Sequence, residues 1–77
     1  MVEDRLIRVV SQILSIAPTE VTLDTGIDNT AAWDSVTHLN LVLEVESVFA
    51  VRFSSQDIPV LTSVGRIQEA LARHQAI

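Results

Sequence analysis

Apolar residues recur at three- and four-residue steps in three stretches of the chain, a spacing that places side chains on one side of an α-helix. The first stretch runs from Val2 to Ile16, and we expect Pro18 to end it. The second begins at Asp34-Ser35 and runs to about Val51. Its expected apolar stripe comprises Val36, Leu39, Val42, Leu43, Val45 and Phe49. The third follows a cap at Thr62 or Ser63 and extends to about His74.

The segments between these stretches are of two kinds. Residues 17–33 are rich in turn-forming residues and form a loop longer than most connections in a small domain, with three expected apolar anchors, Val21, Leu23 and Ile27. A short helix over Ser55–Ile58, capped by Ser54 and limited by Pro59, is expected later. The pattern predicts an all-α fold, a small four-helix bundle of three long helices and one short helix, as a single domain over residues 1–77.

Composition and charge exclude several classes of function. The chain has a net charge of -5 and its five basic residues are all arginines, so nucleic acid and anionic membrane surfaces are poor partners. It has no cysteine, which excludes disulfides, a thiolate nucleophile and cysteine-ligated zinc. No signal peptide or long apolar run is visible, and we expect a cytoplasmic, monomeric protein.

The candidate chemistry lies at the start of the second helix. Asp34 and Ser35 are both common helix N-caps, and the pair alone favours a plain cap. We assign the cap to Asp34, because a carboxylate suits the positive end of the helix dipole, and expect the Ser35 hydroxyl to point outward.

The wider segment from Trp33 to Phe49, with Asp34-Ser35-Val36 at its start and a Leu-Glu-x-x-Phe-like pattern near its end, resembles the second helix of acyl carrier and peptidyl carrier proteins. The likeness covers the whole chain in length and helix order, and its specific part is residues 33–64. It implies that Ser35 receives 4′-phosphopantetheine from coenzyme A through a separate phosphopantetheinyl transferase. Asp34 and Val36 would be recognition residues, and acyl-loading, synthase or tailoring enzymes would be the other partners.

Four further residues are candidates for partner contact. Trp33 is expected mainly as a hydrophobic staple on the first turn, with partner contact as the second interpretation. His38 is expected as a solvated histidine beside the attached arm. Glu44 and Glu46 would dock a basic partner or simply form the wet side of the helix.

Departures from the family pattern concern partner choice. Ala31 and Ala32 stand where many carriers have a glycine, and several positions that are often acidic in carriers of fatty-acid synthesis hold Thr37, Asn40, Ser47 and Val48. The pattern is therefore closer to carriers of polyketide or nonribosomal peptide assembly.

Two alternatives remain. One is a small helical protein-interaction module in which Asp34 and Ser35 are only caps. The other is a hydrolase with a Ser35–His38 pair, which lacks the flanking glycines of a nucleophile elbow and any visible oxyanion-hole motif.

Overall fold

The bounds of the first helix are set by a cap at each end. The structure is a computed structural model that describes residues 1–77. Helix α1 spans Asp4–Leu14, and the Glu3 carboxylate caps it by accepting the Leu6 backbone N–H at 3.1 Å. The helix ends because Ser15 adopts left-handed backbone geometry, with φ of 56°. The expectation that Pro18 ends this helix is therefore wrong, and Pro18 instead opens a 3₁₀ segment, Pro18–Glu20.

The long loop over residues 17–33 is ordered by backbone hydrogen bonds to the start of the last helix. Ile27 N–H donates to the Thr62 carbonyl at 3.0 Å, and Val64 N–H donates to the Thr25 carbonyl at 2.8 Å. Val21 is buried as expected, whereas Leu23 is exposed.

Two glycines let these segments approach. A Cβ on Gly26 would lie 2.7 Å from the Thr62 carbonyl oxygen, and one on Gly65 would lie 3.1 Å from that of Leu23. Close backbone approach thus explains why a poor helix former occupies the first turn of the last helix.

Helix α2 spans Ser35–Phe49 and ends at Ala50, which has a φ of 54°. Its buried side comprises His38, Leu41, Val42, Val45 and Phe49, at helical spacing. Three members of the expected apolar stripe, Val36, Leu39 and Leu43, are exposed instead. The helix is apolar on two sides, and only one of them packs into the core.

The expected short helix over Ser55–Ile58 is replaced by a turn followed by a 3₁₀ segment, Ile58–Val60, with Pro59 inside it. The predicted capping box does form: Asp57 N–H donates to Ser54 Oγ at 3.2 Å, and Ser54 N–H donates to the Asp57 carboxylate at 3.4 Å. Because Pro59 has no N–H and disfavours helical geometry in the residue before it, the turn does not continue as an α-helix.

Helix α3 spans Val64–Arg73, with Ser63 as its N-cap. Its buried side chains belong to a single hydrophobic core, which also includes Trp33, Phe49 and Phe53. His74 stays exposed and packs edge-on against Phe53, with ring centroids 5.3 Å apart. The all-α class is confirmed, with three α-helices and two 3₁₀ segments, and none of its helices combines the length and apolarity needed to span a bilayer.

Candidate functional site

Asp34 caps helix α2, as the sequence predicts. Its Oδ1 accepts the Thr37 backbone N–H at 2.9 Å, and its carbonyl accepts the His38 N–H at 2.8 Å. The Thr37 backbone N–H, followed by the Thr37 side chain, holds the pKa of the Asp34 carboxyl below its ordinary value of 3.8. Asp34 is therefore ionised at neutral pH and stabilises the positive end of the helix.

Ser35 is the first residue of α2 and is exposed to solvent. Because Asp34 already serves as the cap, the Ser35 hydroxyl is not needed to satisfy the helix end. The backbone N–H groups of Ser35 and Val36 have no backbone carbonyl as acceptor, as is usual for a first turn. The arrangement presents a free hydroxyl at the first turn of the helix, beside the Ser35 N–H, a setting that suits an attached phosphate.

An exposed apolar stripe, which we define as Val36, Leu39 and Leu43, extends from Ser35 along α2. These side chains are 70%, 54% and 63% exposed, and their spacing of three and four residues puts them on one face. A signal of this stripe is present in the sequence, because the apolar positions of α2 cover more of its circumference than one buried face requires.

The expectation of a solvated His38 is wrong. His38 is only 8% exposed, and its Nδ1 accepts the Trp33 indole N–H at 3.0 Å. Its Nε2 lies 2.7 Å from the Ile58 carbonyl oxygen in the second 3₁₀ segment. Trp33 is itself 2% exposed and belongs to the hydrophobic core, so neither ring offers a surface to a partner in this conformation.

The two glutamates of α2 differ in their surroundings. The Glu46 carboxylate accepts the Phe53 backbone N–H at 2.8 Å and so fixes the turn that follows the helix. Glu44 is half-buried and has no such contact. Glu46 therefore has a structural role that its position on the sequence did not reveal.

Nothing around Ser35 forms a hydrolytic site. Both ring nitrogens of His38 are engaged with Trp33 and Ile58, which leaves no base directed at the Ser35 hydroxyl. None of the four surface cavities has Ser35 in its lining, and no group of three or more His, Cys, Asp and Glu side chains could hold a metal ion.

Comparison with known proteins points to one family. No protein-family model matches the chain. An acyl carrier protein from Amoebophilus asiaticus (strain 5a2) is 28% identical over 75 residues, which cover 97% of this chain and 94% of that protein. Carriers of that family are not enzymes themselves. The match extends over almost the full length of both proteins, and the three helices with their 3₁₀ turns are consistent with the bundle of an acyl carrier protein.

Proposed function

We propose that Ser35 is the attachment site for 4′-phosphopantetheine and that residues 1–77 act as one acyl carrier domain. The observation that carries the proposal is the division of labour at the start of α2, where Asp34 caps the helix and the Ser35 hydroxyl stays free and exposed. When attached, phosphopantetheine supplies a terminal thiol that holds an acyl or aminoacyl group as a thioester.

The residues present fit such a group. The phosphodiester would join Ser35 Oγ at the positive end of the helix dipole, beside the Ser35 N–H, which has no backbone acceptor. In the modification, a Ser35 O–P bond forms and the pyrophosphate bond of coenzyme A breaks. The serine proton passes to the transferase or solvent, and adenosine 3′,5′-bisphosphate leaves. The chain has no cysteine, so the arm would bear its only thiol.

Intact-mass measurement tests this proposal. After incubation with coenzyme A, Mg²⁺ and a broad-specificity phosphopantetheinyl transferase, the wild-type chain should gain the mass of one phosphopantetheinyl group and Ser35→Ala should gain none. Ser63→Ala is the matched control, because Ser63 also lies at a helix start, and it should be modified like the wild type. No gain in the wild type would favour the interaction module in which Asp34 and Ser35 are only caps.

The exposed apolar stripe supports docking of the transferase and of the later synthase or tailoring enzymes on α2. Apolar contact fits this helix better than charge attraction, because Glu46 is engaged with Phe53 and leaves Glu44 as its one acid without such a contact. This acid-poor surface also supports a place in polyketide or nonribosomal peptide assembly rather than in fatty-acid synthesis. A cytoplasmic location and a monomeric state stay predictions.

Two variants test whether docking of the transferase depends more on the exposed apolar stripe or on the acidic position of α2. Val36→Asp should lower kcat/KM for modification by more than Glu44→Lys does, since it puts a charge into the apolar face next to Ser35. The rate should also depend only weakly on salt. A larger loss in Glu44→Lys, or a steep fall with salt, would show that charge dominates the interaction.

A further inference from the structure

A chain of two hydrogen bonds links the segments on either side of Ser35. Trp33 lies two residues before Ser35, and its indole N–H donates to Nδ1 of His38, three residues after Ser35. The other ring nitrogen of His38 lies 2.7 Å from the Ile58 carbonyl oxygen, twenty residues further along the chain. The loop before α2, the first turn of α2 and the second 3₁₀ segment are thereby joined.

The partners fix the protonation of His38. An indole nitrogen can only donate, and a carbonyl oxygen can only accept. Both bonds therefore require a neutral imidazole with its proton on Nε2. A second proton would place an Nδ1–H against the Trp33 N–H, two donors across 3.0 Å with no acceptor between them.

Resting on the proposed function of Ser35, we propose that His38 is a positioning residue that holds the start of α2 in the orientation needed for modification. The ring is buried and engaged on both sides, so it cannot turn without breaking one of its bonds. Trp33 is also buried, and it is the residue that directly precedes Asp34 and Ser35.

No counter-charge bonded to His38 would stabilise its cation. Asp34, one turn earlier on α2, is occupied by the Thr37 N–H, and Asp57, next to Ile58, pairs with Ser54. The one salt bridge in the structure joins Arg5 and Glu3. A protonated ring here would be a buried charge without a partner.

Three variants separate this role from a general effect on packing. His38→Leu keeps an apolar volume but removes both bonds, and it should be modified several-fold more slowly than the wild type at pH 8. His38→Gln can accept from Trp33 and donate to Ile58 through one amide, and it should recover most of the rate. His74→Gln is the matched control, since His74 is exposed at the end of α3.

Rescue by the conservative variant is the decisive readout. With the same transferase in every assay, kcat/KM for modification should fall several-fold in His38→Leu and return most of the way in His38→Gln. His74→Gln should follow the wild type. Trp33 is the only tryptophan and there is no tyrosine, so intrinsic fluorescence reports on this pair directly and should change more in His38→Leu than in His38→Gln.

Three results would overturn the proposal. Wild-type rates in His38→Leu would show that the bonds do not position Ser35. If that variant fails to fold, a folded His38→Gln that is modified several-fold more slowly than the wild type would overturn the proposal, because glutamine can make both bonds. If the wild type itself is not modified, the proposed function fails, and the positioning role fails with it.

Discussion

Helices α2 and α3 both begin with a polar pair that ends in serine, Asp34-Ser35 and Thr62-Ser63, yet the two serines are used differently. Ser63 is itself the cap, with its Oγ accepting the Arg66 N–H at 3.2 Å. At α2 the preceding aspartate takes that role and leaves Ser35 outside the capping bonds. A serine at a helix start is thus available for chemistry when its neighbour satisfies the helix end.

The starts of α2 and α3 also differ in how far neighbouring backbone covers them. The first N–H groups of α3 are paired with the long loop, since Val64 donates to Thr25 and Gly65 donates to Leu23. The start of α2 is anchored from beneath by Trp33 and His38, and its outer side is open. One start is closed by backbone contacts, whereas the other combines a fixed backbone with an accessible surface, as an attachment site needs.

The closed start of α3 should be the more sensitive of the two to added volume. Gly26→Ala would place a Cβ 2.7 Å from the Thr62 carbonyl oxygen, so the loop must move away from α3. We expect a loss of about 1–3 kcal/mol in the free energy of unfolding, measured by urea denaturation. Amide exchange at Val64 and Gly65 should accelerate.

Gly65→Ala is the control for this change. Its Cβ contact is longer, 3.1 Å, and alanine is the better helix former, so the loss should be smaller than in Gly26→Ala. Equal stability of Gly26→Ala and the wild type would mean that the loop does not close the start of α3 as described.

Replacement by alanine should lower the stability of the fold more at Ser63 than at Ser35, although only Ser35 is proposed to be modified. Ser63→Ala removes a cap and should cost about 1 kcal/mol. Ser35→Ala removes an exposed hydroxyl from the first turn and should cost no more than about 0.5 kcal/mol. Urea denaturation of the unmodified chains measures both. A larger loss for Ser35→Ala would identify Ser35 as a structural cap.

The smallest expected effect concerns the charge on Asp34. Because its pKa is lower in the folded chain, its contribution to stability is present above the unfolded pKa of about 4 and is lost as the pH falls through the folded value. An asparagine at this position would cap nearly as well without titrating. The free energy of unfolding of Asp34→Asn should therefore be close to that of the wild type at neutral pH. Below about pH 4 it should rise relative to that of the wild type.

Urea denaturation at pH 7 and again in acid measures this difference in the free energy of unfolding between the wild type and Asp34→Asn. A gap that is the same at both pH values would show that the Asp34 carboxylate does not stabilise α2 through its charge.

Local features of both helix starts could be predicted from the sequence. The periodicity located the helices. The cap Asp34 was predicted, and Ser63 was one of two predicted caps of α3, because each uses a side chain close to the N–H it satisfies. The C-terminal ends of the helices were harder to predict, because Ser15 and Ala50 adopt left-handed backbone geometry without the glycine that usually signals it.

The rest depends on contacts between distant residues. His38 was expected in solvent because one of its two partners is the carbonyl of Ile58, twenty residues away, which no local pattern connects to it. Likewise, periodicity showed that α2 is apolar but not which side faces the core, and so Leu39 and Leu43 were assigned to the wrong side.

Locating the attached group on the modified wild-type chain tests the central claim most directly. Cleavage after glutamate releases residues 21–44, in which Ser35 is the only serine. We predict that tandem mass spectrometry finds the phosphopantetheinyl mass on this peptide, at Ser35, and on no other peptide. The group on a peptide that contains a different serine, or its absence from every peptide, would contradict the assignment of Ser35 as the carrier site.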